Sequence, residues 1–372
     1  MNNIDLLINY TGLPLFWVKL VLGFLFSFII TFYSIPAIIK ISRRKNLMDE
    51  PGLRSSHLRK IPNLGGIALF ASIGFCAPIF AYELFDSYKF LFASLVILLY
   101  IGVMDDIVVV RAYKKLLAQV IVTVLMVLGS DVRIGSFFGL FGIYEINYFV
   151  SVLVSSIVFI ILINAFNLID GIDGLSGGFA IICCICFGIN YFRLGEFNYP
   201  LVVLCVIISG SVLAFLYYNL SNYRMNKIFM GDTGSLIIGF LLAFTAIIFI
   251  NLFIDKNDVN IPRYHLQSAP VIAIAILILP IVDTLNVICI RLLKRQSPFN
   301  ADKNHIHHKL LKLDLTHRRS SFYIICYYIF VVAIAYYFRH LNINLLFILI
   351  MAVGFFGAYI PDIILKFRKS DI

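Results

Sequence analysis

Long apolar runs alternate along the chain with short polar connections, and the runs are too long for the core of a soluble domain. A bilayer crossing takes about 20 apolar residues. On that rule the chain holds eleven spans, near 15–41, 65–83, 88–104, 115–130, 148–166, 175–192, 200–218, 234–253, 268–292, 321–338 and 344–365. The third and fourth are short. The ninth is long and contains Pro280 and Asp283, which predicts a kink or break, because proline removes a backbone donor and crowds the preceding turn. Residues 131–147, DVRIGSFFGLFGIYEIN, read as a hairpin or interfacial turn from their glycine and aromatic content. The pattern predicts an all-α polytopic membrane protein, a single helical domain over 1–372. Chemistry-bearing polar connections at 42–64, 105–114, 167–174, 219–233 and 293–320 share one side.

Composition agrees. Of 372 residues 61% are hydrophobic and 13% charged, with mean hydropathy +0.96, whereas soluble domains are about half apolar and a quarter charged. The net charge of +10 could point to nucleic acid, but its distribution decides otherwise. With the N-terminus outside, 23 of the 30 Lys and Arg fall in the inside segments 40–60, 111–115, 224–227, 291–319 and 366–369. Such an excess orients a membrane protein and faces anionic lipid. It predicts an outside N-terminus, a cytoplasmic C-terminus and no nucleic-acid partner. The seven cysteines show neither zinc-finger nor redox spacing. No cleavable signal is expected: the first fourteen residues are not basic, and the following apolar run exceeds an h-region.

The candidate chemistry lies on the inside. Asp105 and Asp106 end the third span in MDDIVVVRAYKKLLAQ, with Arg111, Lys114 and Lys115 close behind. Adjacent carboxylates repel unless a cation or basic group balances them; the pair either ends a helix in water or carries chemistry. In NAFNLIDGIDGLSGG, residues 164–178, Asn164, Asn167, Asp170 and Asp173 recur every third position directly after a span. On an α-helix they trace a slow spiral, and a 3₁₀ segment would align them. Carboxylates so near lipid are functional by default, although the stretch is no EF-hand. FMGDTGSLIIGF, 229–240, places Asp232 and Thr233 before an apolar helix, as a helix cap, or as a phosphate site with Asp232 on its magnesium. In RQSPFNADKNHIHHKLL, 295–311, His305, His307 and His308 lie among basic residues. HExxH is absent, and the cluster suits a diphosphate or anionic headgroups better than zinc. Asp283, within the ninth span, needs a partner not identifiable from sequence.

Together these four blocks resemble the polyprenyl-phosphate N-acetylhexosamine-1-phosphate transferases, over about residues 40–320. The SPFxxDxxHIHH form is similar to the branch that moves GlcNAc-1-phosphate. The resemblance implies transfer of GlcNAc-1-phosphate from UDP-GlcNAc to undecaprenyl phosphate with release of UMP, initiating a cell-surface polysaccharide. UDP-GalNAc or UDP-MurNAc-pentapeptide are the alternative donors. It implies Mg²⁺, or Mn²⁺, on Asn167 and Asp232; Asp105 as base or positioner with Asp106 in support; and Lys115 and Lys114 on phosphate. Asn164, Asp170 and Asp173 would shape the nucleotide-sugar site, and His305, His307 and His308 would meet the diphosphate or sugar. The first connection, RSSHLRKIPNLGG, matches loosely, and no role passes to His57 or Lys60. A cation-coupled transporter would carry its carboxylates near the midplane, and a lipid-diphosphate hydrolase would need a positioned water in place of the acceptor lipid.

Overall fold

A computed structural model of the chain describes residues 14–48, 60–254, 266–293, 295 and 305–370. His57, Arg59, Lys294 and the SPFNADKN part of the histidine block lie outside the described residues. The helices follow the apolar runs, since in lipid each backbone polar group must be satisfied within its own segment. They are α1 (Leu15–Arg44), α2 (Gly65–Phe80), the short α3 (Glu83–Ser87), α4 (Leu91–Val108) and α5 (Ala112–Val124, running on as a π-turn to Gly129). After the hairpin β1 (Ser136–Leu140) and β2 (Ile143–Glu145) come α6 (Tyr148–Ile169), α7 (Leu175–Arg193), α8 (Tyr199–Asn219) and α9 (Gly231–Asn251). The chain continues as α10 (Ala269–Ile276), α11 (Ile278–Leu293), α12 (Ile306–Leu311), α13 (His317–Tyr337) and α14 (Ile343–Ser370).

The protein is an all-α polytopic membrane protein. Each of the eleven predicted runs overlaps at least one of these helices. Among the described residues nine helices are long and apolar enough to cross a bilayer, or ten if the bent α10–α11 pair is one span. Helix α2, with 16 residues, reaches only about 24 Å at 1.5 Å per residue. The segment 131–147 forms the expected hairpin, with Ser136 opposite Glu145 and Leu140 opposite Ile143.

The break predicted in the ninth run lies at Leu277, where α10 and α11 meet at 76°. Pro280 explains it: its ring cannot donate to, and crowds, the carbonyl four residues back, which belongs to Ile276. That carbonyl instead accepts from the Tyr328 hydroxyl at 2.6 Å and the Cys183 thiol at 3.3 Å. The same device serves Pro36 inside α1, where the Tyr218 hydroxyl donates to the Phe32 carbonyl at 3.0 Å.

At the centre stands α9, with every residue from Thr233 to Ile250 buried. Helices α2, α4, α6, α7 and α10 pack around it. Close approach is possible because Gly102 of α4 and Gly66 of α2 lie directly against the Thr233–Gly234 backbone, where any Cβ would overlap main-chain atoms. The C-terminal ends of α4 and α6 and the N-terminal ends of α5 and α9 thereby meet at one end of the bundle.

Candidate active site

Helix ends, more than loops, carry the cluster. Asp105 and Asp106 occupy the last turn of α4, Lys115 the first turn of α5, Asn167 the last turn of α6, and Asp232 the first turn of α9. The two adjacent carboxylates have different partners. Asp106 turns to α9: its Oδ1 accepts from the backbone N of Asp232 at 2.8 Å, and its Oδ2 accepts from the N of Thr233 at 3.0 Å and the Thr233 hydroxyl at 2.6 Å. It therefore caps a helix from another part of the chain, satisfying donors that α9 cannot satisfy itself. The capping expected at 229–240 is present, but Asp106 supplies it, and the Asp232 and Thr233 amides that a phosphate there would use already have a carboxylate on them.

Asp105 turns the other way. Its Oδ1 accepts from the backbone N of Val110 at 2.5 Å, and its Oδ2 receives Lys115 Nζ at 3.0 Å. Lys115 also donates to Asp232, so a single ammonium joins carboxylates from two helices. The Asn167 amide nitrogen donates to Asp232 Oδ1 and to the Ser235 hydroxyl, each at 2.7 Å. Lys114 lies outside this cluster, exposed on α5. Asn164, one turn before Asn167, makes a reciprocal amide pair with the buried Gln119 of α5, at 2.6 and 3.2 Å.

Among the described residues no three His, Cys, Asp or Glu side chains form a metal-ligand group. Magnesium is commonly held by one or two carboxylates together with waters and substrate phosphates. Asp105 and Asp232, converging on the Lys115 ammonium with the Asn167 amide beside them, are a donor set of that sparser kind. Two carboxylates already share one cation there.

A second wall adjoins the first. α6 ends at Ile169, so the four polar residues follow the α-helical spiral until the chain turns, and each finds a different neighbour. Asp170 accepts from the Ser176 hydroxyl at 2.5 Å. Burial pushes its carboxyl up to about 7 against that hydrogen bond, and the nearby Asp232 and Asp106 push the same way. Asp173 receives Lys227, with His317 Nδ1 at 3.6 Å. Burial alone would raise its carboxyl, but the hydrogen bonds and charges of His317 and Lys227 outweigh it, leaving Asp173 below the usual range.

The histidines complete this wall. Asp283 has its partners: its Oδ2 lies 2.8 Å from His305 Nδ1, and its Oδ1 accepts from the backbone N of Ile306 at 2.8 Å. The His307 ring lies against Gly171, where a side chain would displace it, and 4.3 Å from the His308 ring centroid. Burial drives His307 down to about 3, opposed only in part by Asp283, so it is a neutral imidazole at pH 7.

Lys227, His317, Gln119 and Ser235 escaped the sequence reading as site groups. Lys227 was legible only as an orienting charge, and His317 stands apart from the histidine block. Their proximity to Asp173 arises from tertiary packing.

The glycosyl transferase family 4 model matches residues 88–250, which contain the aspartate pair, the Asn164–Gly178 stretch and Asp232. The undecaprenyl-phosphate alpha-N-acetylglucosaminyl 1-phosphate transferase of Yersinia pestis is 30% identical over 308 residues, covering 81% of this chain and 78% of that protein. This chain belongs to glycosyl transferase family 4. The similarly named Salmonella typhi protein is 29% identical over 308 residues, 81% of this chain and 78% of that protein. A probable undecaprenyl-phosphate N-acetylglucosaminyl 1-phosphate transferase of Bacillus subtilis is 28% identical over 307 residues, 82% and 80% respectively. These are names of the branch that the four blocks resemble. This family 4 member is a transferase, multi-pass in a bacterial cytoplasmic membrane.

Proposed function

We propose that the protein transfers GlcNAc-1-phosphate from UDP-GlcNAc to undecaprenyl phosphate, giving undecaprenyl-diphosphate-GlcNAc and UMP, to initiate a cell-surface polysaccharide. The observation that carries this reading is the convergence of Asp105, Lys115, Asn167 and Asp232 from four helix ends at one end of a membrane bundle, a set whose carboxylates and ammonium suit a cation and phosphate. The proposed topology counts α2 as a crossing, making eleven, with the N-terminus outside and the C-terminus cytoplasmic. An odd count puts the termini on opposite sides, and the Lys and Arg distribution favours this orientation. The site then faces the cytoplasm, where a water-soluble nucleotide sugar meets a lipid phosphate.

In the proposed reaction a phosphate oxygen of the lipid attacks the β-phosphorus of the donor. The bond from that phosphorus to the bridging oxygen breaks, and UMP leaves with the bridging oxygen and its electron pair. A phosphate monoester has its second pKa near ~6, so the nucleophile is mostly dianionic at pH 7. Asp105 therefore positions Lys115 and the acceptor instead of removing a proton. Lys115 holds phosphate oxygens, and Asp106 fixes the start of α9, and with it Asp232. Bound Mg²⁺, or Mn²⁺ in its place, would be held by Asp232 and Asn167 and would neutralise charge on the diphosphate. Asp170, Asp173 and the histidines form the donor-sugar side, with Asn164 supporting Asn167 from one turn away.

The test is to incubate the purified full-length chain with undecaprenyl phosphate, Mg²⁺ and radiolabelled UDP-GlcNAc, UDP-GalNAc or UDP-MurNAc-pentapeptide. Lipid-linked GlcNAc and UMP in equal amounts is the expected result. Product from a different donor would keep the chemistry and change the substrate. Absence of any lipid-linked product would reject the reaction.

A further inference from the structure

A helix of six residues is too short to sustain itself, so α12, which carries His307 and His308, takes its position from its surroundings. Two carboxylates from different helices grip it. Asp283 of α11 holds its start through Ile306 N and His305. Toward its end Lys309 Nζ meets Asp362 of α14 at 2.5 Å, with the Tyr359 ring centroid 5.7 Å away. Between these grips His307 rests against Gly171, while Ile306 and Leu310 also border an apolar cavity of about 380 Å³ shared with α11, α13 and α14. Packing leaves α12 room to shift, and the polar grips set its register. Lys309 is only 3% exposed, whereas the Asp362 side chain is 44% exposed. An ammonium that deep needs its carboxylate. Without it, Lys309 is drawn toward water and takes α12 along.

We propose that Asp362 and Lys309 are positioning residues for the transfer, their ion pair setting where His307 stands against Gly171. This rests on the reaction proposed above and deepens it: a residue on the last helix, touching no reacting atom, governs the rate. A displacement of ~1 Å near the chemistry can cost ~100-fold.

The experiment uses the full-length chain, its Asp362→Asn variant and the conservative Asp362→Glu variant. It reads kcat, KM for the donor, thermal stability, and the rate at which diethylpyrocarbonate modifies His307, mapped by mass spectrometry. Asp362→Asn is expected to lower kcat about tenfold or more, with a smaller change in KM and a melting temperature that falls but stays well above the assay temperature. His307 should become at least several-fold more reactive, and Asp362→Glu should restore both readings. An Asp362→Asn protein with wild-type kcat and wild-type His307 protection overturns the proposal, as does a loss of kcat fully explained by a lower melting temperature. If the wild-type chain turns over no donor, the reaction fails, while His307 protection still decides the positioning role.

Discussion

The carboxylate–lysine cluster and the histidine segment border the same turn at Asp170–Gly174, yet they are assembled by different means. In the cluster, α4, α5 and α6 bring their ends to the start of α9, and glycines allow the backbones to come nearly into contact. Asp106 then ties α4 to α9 through three hydrogen bonds. In the histidine segment a short helix lies over a cavity, secured by side chains from α11 and α14. Placement by close packing resists displacement, because shifting one helix means repacking its neighbours. Placement by ion pairs can be undone by changing a single charge.

The comparison can be broken most severely at Asp232. Asp232→Asn is expected to lower turnover at least ~100-fold and to abolish Mn²⁺ binding measured by electron paramagnetic resonance; unchanged binding would remove Asp232 from the metal site. Asp283→Asn probes the other wall. Turnover should fall roughly tenfold as α12 loses its upstream grip, while Mn²⁺ binding stays intact; loss of metal binding would show that the walls are not separable.

A smaller effect is expected at Asp170. Its folded pKa of about 7 lies above the unfolded value of 3.8, so the native state retains a proton that the unfolded chain has lost. Stability therefore falls as pH rises through that interval. Asp170→Asn keeps an acceptor for Ser176 and removes the charge. It should raise the melting temperature of the substrate-free protein by roughly 2–5 °C at pH 8 and by less at pH 5. An equal gain at both values would contradict the assignment. His307 has the opposite sign: held down to about 3 from 6.5, it costs stability as pH falls below 6.5. The smallest effect belongs to Lys114, exposed and apart from the cluster; Lys114→Ala should keep kcat within about twofold of wild type, and a larger loss would bring it into the site.

Much of this was legible in the chain itself. The spans, the hairpin at 131–147, the break near Pro280 and the four chemistry-bearing blocks all follow from apolar run length and from the cost of polar groups in lipid. Partnerships did not follow. Asp105 and Asp106 are neighbours in sequence, and nothing local says that one caps α9 while the other holds Lys115. The spacing of Asn164, Asn167 and Asp170 gave the spiral but not the destinations, Gln119, Asp232 and Ser176. Asp283 declared its need for a partner without naming His305. Those facts depend on helix packing, to which single-segment patterns are blind.

The complete burial of α9 has a consequence for the bilayer. A membrane of unsuitable thickness strains a protein through the helices that touch lipid, by tilting them or stretching the lipid around them. Only 22% of the apolar stretch of α1, and of α14, is buried, whereas all of α9 is. Asp232 thus sits on the element most insulated from lipid composition, and α12 is pinned to one of the elements least insulated. Thinning or thickening the membrane should reach the histidines through α14 before it disturbs Asp232, whose helix meets lipid nowhere along its apolar stretch.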